Sequence, residues 1–147
     1  MLLLGVKNSA TQTVLADGTI NIGSVYRRYC KKTSCGLPTF SNTANDITLN
    51  GTGIYHLTAT FVVSAPAAGT VTVQLLENGE EVAGAFASET ITTATTELRT
   101  MVIDHYFKVD KECTLGMLSV SPETISFANT GDDATFTSVV VNVEKVV

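Results

Sequence analysis

Tryptophan is absent from this sequence, and histidine, cysteine and proline are scarce. The 147 residues include two His, three Cys and three Pro. Zinc sites and acid–base catalysis draw heavily on His and Cys, so little material is present for either. Three Cys are also too few, and odd in number, for a disulfide framework. We therefore expect a protein that is stabilised by apolar burial and matures in a reducing cell interior.

Charge of either sign is also sparse. Charged residues make up 16% of the chain, and nine Lys and Arg against fourteen Asp and Glu give a net charge of −5. Phosphate binding needs net or local positive charge, so this balance argues against general nucleic-acid binding. No apolar run approaches the roughly 20 residues of a membrane helix, and residues 1–4 are too short a run for a signal peptide. We expect neither nucleic acid nor a membrane as a partner.

Alternation of apolar and polar residues with a period of two is the dominant pattern. In the segment 54–63, IYHLTATFVV, Leu57 and Phe61 share one face and His56 lies on the other. This alternation is typical of a half-buried β-strand. Similar segments recur along the chain, and no window of twelve residues has the periodicity of an amphipathic helix. The pattern predicts an all-β sandwich or barrel of about eight to ten antiparallel strands.

Turn signals separate these strands. Asn78-Gly79 predicts a hairpin with a type I′ turn, because both central residues of that turn need positive φ. Asp17-Gly18 separates two short N-terminal strands, and Ile20 and Ile22 are predicted to start a further strand near Gly23. The segment 27–45 is polar, rich in turn residues and long for a loop, which is typical of a functional or mobile segment.

The C-terminal segment 134–147 is apolar on both faces of its predicted strand. One face carries Val139, Val141 and Val143, and the other carries Phe136, Val140 and Val146. A strand at a sandwich surface should have one polar face. Because the sequence provides no helix to cover the second face, we expect another copy of the chain to cover it, with Phe136, Val140 and Val146 in the interface. The alternative is a central strand with a moderately apolar outer face.

Four of the nine basic residues lie within six positions: Arg27, Arg28, Lys31 and Lys32. On an acidic protein this cluster predicts a docking patch for a negatively charged surface, and a solvated strand end is the alternative.

The cysteines allow several interpretations. Cys30 and Cys35 could form a disulfide across a small loop, supply half of a zinc site, or remain two separate thiols, which is the default. Zinc would need about four ligands, and no further Cys or His pair lies nearby in the sequence. Cys113 lies in an apolar strand pattern and is predicted to be a small buried residue.

No pattern typical of an enzyme is present. The nucleophile-elbow, zinc-protease and phosphate-loop motifs do not occur. His105 lies on the apolar face of its predicted strand, which favours a hydrogen-bonded core position. Asn129, Asp132 and Asp133 carry oxygens that could bind calcium, but a turn before the last strand explains them and is favoured. We expect a non-enzymatic protein without a metal or cofactor.

The segment 47–82 resembles the middle of a trimeric jelly-roll domain. The features that carry the resemblance are Gly53 and Tyr55 in a long alternating strand, a loop of small residues, and a strand that ends at Asn78-Gly79. The superfamily includes tumour necrosis factor, the globular heads of complement's first component and collagen-like glycoproteins of spore surfaces. Segments 108–120 and 135–146 resemble its last strands. The resemblance implies a two-sheet jelly-roll sandwich and a homotrimer.

The segment 6–36 is similar to the opening of small virion-associated proteins of tailed bacteriophages of gut Firmicutes. The matching residues are Asn8, Thr11, Gln12, Thr13, Cys35 and Gly36. This resemblance implies a trimer that is made in the bacterial cytoplasm and displayed on the virion surface. Residues 1–16 would be an attachment arm that binds the major capsid protein or another virion protein, and residues 17–147 would be the jelly-roll domain.

Two other functions stay open for a jelly roll of this kind. One is the receptor-binding tip of a tail fibre, which would contact a host surface glycan through the strand-end loops 64–70 and 92–96. The other is a ligand-binding jelly-roll domain of the secreted type.

Overall fold

The computed structural model describes residues 2–30, 40–114 and 117–146, and strands account for most of them. The strands in these ranges are β1 (Leu2–Asn8), β2 (Gln12–Val14), β3 (Ser24–Cys30), β4 (Phe40–Asn42), β5 (Asp46–Leu49), β6 (Gly53–Ser64), β7 (Gly69–Glu77), β8 (Glu80–Ile91), β9 (Arg99–Val109), β10 (Lys111–Thr114), β11 (Met117–Val120), β12 (Glu123–Asn129) and β13 (Ala134–Lys145). Within the same ranges, the chain forms no helix with the length and apolar character needed to cross a membrane.

Two antiparallel sheets form the sandwich. The first sheet has the order β3-β1-β13-β6-β9, and the short β2 also pairs with β13. The second sheet has the order β4-β5-β12-β7-β8, and β10 pairs with β11 in a separate hairpin. The predicted all-β, two-sheet antiparallel sandwich is therefore confirmed.

The core lies between the inner faces of the two sheets. Phe61 on β6 contacts Phe127 on β12 edge-on, with ring centroids 5.3 Å apart, and Phe136 on β13 at 6.0 Å. Among the described residues, the largest fully buried side chains are Tyr55, Phe61, Phe127, Phe136, Leu4, Ile20, Ile22, Ile47, Leu49, Leu57, Leu75 and Ile91. The apolar side chains of the alternating segment 54–63 lie in this core, as predicted.

The predicted hairpin at Asn78-Gly79 is confirmed. It joins β7 to β8, and the two residues have φ of 53° and 82°, as a type I′ turn requires. Asn78 also ties the hairpin to β12, because its backbone N–H donates to the Thr124 carbonyl at 2.7 Å and its side-chain oxygen accepts from the Thr124 N–H at 2.9 Å.

The segment before β3 differs from the prediction. Ile20 and Ile22 are fully buried, but their N–H groups donate to the carbonyls of Phe127 and Ala44, so they do not start a strand. The strand begins only at Ser24. Gly23 has a φ of 82°, and a Cβ at this position would lie 2.0 Å from the Lys7 carbonyl oxygen. The close approach of two backbones at Gly23 therefore requires glycine.

The N-terminal residues belong to the sandwich, in contrast to the attachment arm expected for residues 1–16. Strand β1 lies between β13 and β3, and β2 pairs with β13. Leu4, Val6 and Val14 are buried in the core. The expected boundary between residues 16 and 17 is therefore not a boundary of the fold, because a strand between two others is an integral part of its sheet.

The assignment of Phe136 to a subunit interface is wrong. Phe136 is fully buried between the sheets. The register of β13 against β6 shifts between Phe136 and Ser138, which leaves Thr137 as an extra residue. Such a bulge reverses the alternation. In β13, the even-numbered residues up to Phe136 therefore face the core, whereas from Val139 onward the odd-numbered residues face it.

Candidate interaction surface

The side of the first sheet that points away from the core is called the outer face here. Its residues alternate along each strand with buried ones. The outer face includes Leu3, Lys7, Tyr26, Arg27, His56, Thr58, Thr60, Val102, Asp104, Tyr106, Val140, Asn142 and Glu144. Val102 and Tyr106 are 54% and 59% exposed. The outer face thus exposes Tyr26, Tyr106 and Arg27, and aromatic residues and arginine are enriched at protein interfaces.

The two other residues predicted for the interface are accessible. Val140 lies half-buried on the outer face, opposite Lys7 of β1 and Thr60 of β6. Val146 is exposed beyond the end of β13, where its N–H donates to the Ile54 carbonyl at 2.7 Å. Their contact with a second copy stays a prediction.

A histidine bound to two carboxylates lies on the outer face, on β6 next to the edge strand β9. His56 Nε2 lies 2.9 Å from both carboxylate oxygens of Asp104, and Nδ1 lies 3.4 Å from Glu144 Oε1. The Thr58 hydroxyl donates to Asp104 Oδ2 at 3.3 Å. The His56 ring stacks on Tyr106, with centroids 4.6 Å apart. Three adjacent strands, β13, β6 and β9, supply this cluster.

The cluster favours a protonated histidine. The hydrogen bond to Asp104 is the main cause that raises the pKa of His56, and Glu144 adds to it, while partial burial opposes both. An imidazolium whose two nitrogens both face carboxylates is a poor general base. A concavity of about 250 Å³ adjoins the cluster and is lined by Leu3, His56, Thr58, Asn142 and Glu144. Within the described ranges, no group of three His, Cys, Asp or Glu side chains is arranged to hold a metal ion.

We predict that Asp104→Asn lowers the pKa of His56 more than Glu144→Gln does, because the Asp104 hydrogen bond is the largest stabilising contact of the charged ring. The measurement is an NMR titration of the imidazole protons. Since the folded-state pKa is raised, the cluster stabilises the fold below the ordinary histidine pKa and loses that contribution as pH rises through the raised value. Asp110→Asn is the control, because Asp110 pairs with Lys108. Equal pKa values in wild type and Asp104→Asn would contradict the prediction.

Tyr26 lies across the outer face beside two cations. Its hydroxyl donates to Asn142 Oδ1 at 2.6 Å, and its ring covers Gly5, where a Cβ would be 2.8 Å from the ring. Lys7 Nζ and Arg27 Cζ lie 5.5 Å and 6.0 Å from the ring centroid. Glycine at position 5 therefore leaves the space that the Tyr26 ring occupies.

The predicted docking patch is described in part. Arg27 and Arg28 are exposed on β3, an edge strand of the first sheet. Lys31, Lys32 and Cys35 lie outside the described residues, and so do the side chains of Cys30 and Cys113. The docking patch, the disulfide and the buried state of Cys113 therefore stay predictions.

The two strand-end loops that were predicted to bind a receptor lie together at one end of the sandwich. The Thr95 N–H donates to the Ala65 carbonyl at 2.8 Å. The Glu97 carboxylate accepts hydrogen bonds from the N–H groups of Thr93 and Thr92 and from Arg99, which lowers its pKa to about 2. The hydrogen bonds to the Glu97 carboxylate therefore fix the conformation of this loop.

The turn before β13 is confirmed. Asn129 is fully buried, and its amide donates to the carbonyls of Val14 and Asp132 at 3.1 Å and 2.7 Å. Asp132 and Asp133 accept from the N–H groups of Thr70 and Ala16, both at 2.9 Å. These oxygens are thus hydrogen-bonded within the fold, as the turn interpretation predicts. His105 faces the core side of β9, where its ring meets Phe107 edge-on at 4.8 Å.

The chain is similar in structure to several jelly-roll proteins. The globular domain of zebrafish complement 1qA protein aligns with a TM-score of 0.63 at 6% identity, over 100% of this chain and 98% of that one. Eiger TNF from S. frugiperda aligns with a TM-score of 0.64 at 10% identity, over 99% of this chain and 91% of that one. The PRD1 vertex protein P5, a phage protein, aligns with a TM-score of 0.52 at 13% identity, over 99% of this chain and 97% of that one.

Neither the protein-family profiles nor the curated protein sequences match this chain. At identities of 13% or less, the structural similarities show a shared fold and nothing further. The strand order and these similarities together establish that the chain is a jelly roll of the type found in tumour necrosis factor and complement head domains.

Proposed function

We propose that this protein is a non-enzymatic structural protein of a phage virion, which assembles as a homotrimer and decorates the capsid exterior. The observation that carries the proposal is the outer face of the first sheet, on which Val102 and Tyr106 of β9 are exposed and Val140 of β13 is half-buried, with polar side chains between them. A sheet face that exposes large apolar and aromatic side chains is typical of an interaction site. Symmetric association of identical copies is a common way to cover one.

The second sheet is different and supports this choice of face. Its outward side chains include hydroxyl pairs, such as Thr72 with Ser88 at 2.6 Å and Thr48 with Thr124 at 3.3 Å. Phe86 is an exposed exception on β8. The first sheet is therefore the better candidate for a contact between copies.

Two observations support the virion as the place of assembly. The N-terminal residues resemble those of small virion-associated phage proteins, and the PRD1 vertex protein P5 shares the fold. The chemistry of the outer face also agrees with a binding role, because both ring nitrogens of His56 face carboxylates.

The receptor-binding tip of a tail fibre is the second candidate. The observation in its favour is that the loops 65–68 and 92–98 meet at one end. The carboxylates of Glu97, Asp132 and Asp133 at that end are hydrogen-bonded within the fold, which leaves them less available to a sugar.

The test combines the mass of the isolated protein with its place on the particle. Sedimentation equilibrium should give three times the mass of one chain. Purified phage heads should carry a fixed copy number that is a multiple of three, as counted by quantitative mass spectrometry and located by imaging. Adhesion to host cells that the added protein blocks would favour the tip. A monomer, or absence from purified particles, would overturn the proposal.

A further inference from the structure

A cation and a carboxylate lie at opposite edges of the outer face, at the same level along the strands. Arg27 of β3 is directly opposite Gly5 of β1, which is opposite Asn142 of β13. Asn142 is opposite Thr58 of β6, which is opposite Asp104 of β9. These five residues form one row across the sheet, which is called the Arg27–Asp104 row here.

The two ends of the row carry opposite charges, and each end lies beside an exposed tyrosine. Arg27 lies beside Tyr26 and Lys7, whose amine is over the same aromatic ring. Asp104 is flanked on β9 by the exposed side chains of Val102 and Tyr106. Tyrosine and arginine are enriched where interfaces bind most strongly.

The two charges cannot meet within one copy. Four strand spacings separate β3 from β9, which is roughly 19 Å. Of the ion pairs among the described residues, none includes Arg27 or Lys7. The Asp104 side chain is 56% exposed, and a carboxylate has about four acceptor positions. It can therefore accept from an arginine while it remains bound to His56 and Thr58.

We infer that, in the assembled protein, the β3 edge of one copy contacts the β9 edge of the next, with Arg27 paired to Asp104. The inference rests on the proposed self-association and adds its register. A rotation axis parallel to the strands keeps every residue at its own level, so the two ends of one row meet when copies follow each other head to tail. Repetition of such a contact closes a ring of three copies when the rotation between neighbouring copies is a third of a turn. The occupant of each edge is a second copy of this chain.

The experiment is a charge swap read by sedimentation equilibrium. Arg27→Glu and Asp104→Lys each place like charges at every contact, and like charges across an interface weaken association strongly. We expect each single variant to weaken assembly about 100-fold, and the double variant Arg27→Glu/Asp104→Lys to recover most of the wild-type affinity. Arg28→Glu, the neighbouring cation on β3, and Glu81→Lys, on β8, are the matched controls. Circular dichroism confirms that each variant is folded.

Each result decides a different point. Singles that still assemble as wild type would overturn the Arg27–Asp104 contact and leave the self-association proposal intact. If the folded single variants dissociate and the double variant does not recover assembly, the pairing would be overturned as well. A wild-type monomer would overturn the proposed function together with this inference. If the double reversal does not fold, Arg27→Gln/Asp104→Asn replaces it, and this neutral variant should assemble with a weaker dependence on salt; an unchanged salt dependence would contradict the pairing.

Discussion

Phe136→Ala is expected to lower the free energy of unfolding by about 3–5 kcal/mol, as truncation of a buried aromatic residue usually does. Phe136 is fully buried and packs edge-on against Phe61 of the adjacent strand. Its removal leaves a cavity between two sheets, and the backbone hydrogen bonds on both sides of β13 limit how far the strand can move to fill it. The measurement is chemical denaturation at fixed protein concentration, because assembly also contributes to the apparent stability.

Phe86→Ala is the matched control for this prediction. Phe86 is 54% exposed on β8, so its truncation should change the stability by about 0.5 kcal/mol or less. The folded fraction of Phe136→Ala should still assemble. A stable Phe136→Ala protein that dissociates into monomers would instead return Phe136 to the subunit interface and contradict the core position described above.

Val140→Asp is expected to abolish assembly at micromolar concentration while each copy stays folded. Val140 points to the outer face, beside Lys7 of β1. In a single copy, the new carboxylate would remain in contact with water. In the assembled protein it would be buried, and removal of a carboxylate from water costs several kcal/mol, which a nearby cation offsets only in part. Light scattering or sedimentation measures the loss of assembly.

Phe86→Asp is the control, because it introduces the same charge on the outer side of the second sheet. It should leave the mass of the assembly unchanged. If Val140→Asp assembled as wild type and Phe86→Asp dissociated, the contact between copies would lie on the second sheet, and the interface proposed here would be wrong.

Local patterns in the sequence predicted much of the fold. The period of two in residues 54–63 identified β6 and its buried side, since side chains alternate strictly along a strand. Asn78-Gly79 identified the hairpin, because few residue pairs accept positive φ at both positions. Apolar alternation and turn chemistry are local properties, and they can be seen in the sequence without knowledge of the tertiary structure.

Phe136 and the N-terminal strand show where local patterns fail. The bulge at Thr137 adds one residue to β13, and a shift of one residue reverses which side chains face the core. Nothing in the segment 134–147 marks that position. Residues 2–6 are nearly all apolar, and an uninterrupted apolar run does not show the alternation that identifies a half-buried strand.

The charged features of the outer face could not be predicted for a related reason. His56, Asp104 and Glu144 come from three strands that are far apart in sequence, and the register that joins them depends on tertiary packing. The position of His56 opposite the apolar side of its strand was the only signal available. The Arg27–Asp104 row likewise depends on the pairing of five strands.

The pairing of β1 with β13 has a practical consequence for display. Leu2 lies opposite Lys145, so the polypeptide enters and leaves the sandwich at the same pole. The loops 65–68 and 92–98 lie at the other pole, since β6 runs from Gly53 to Ser64 and Tyr55 is opposite Lys145. Cargo fused to either terminus would therefore be carried on one pole, while peptides grafted into these loops would be presented on the other.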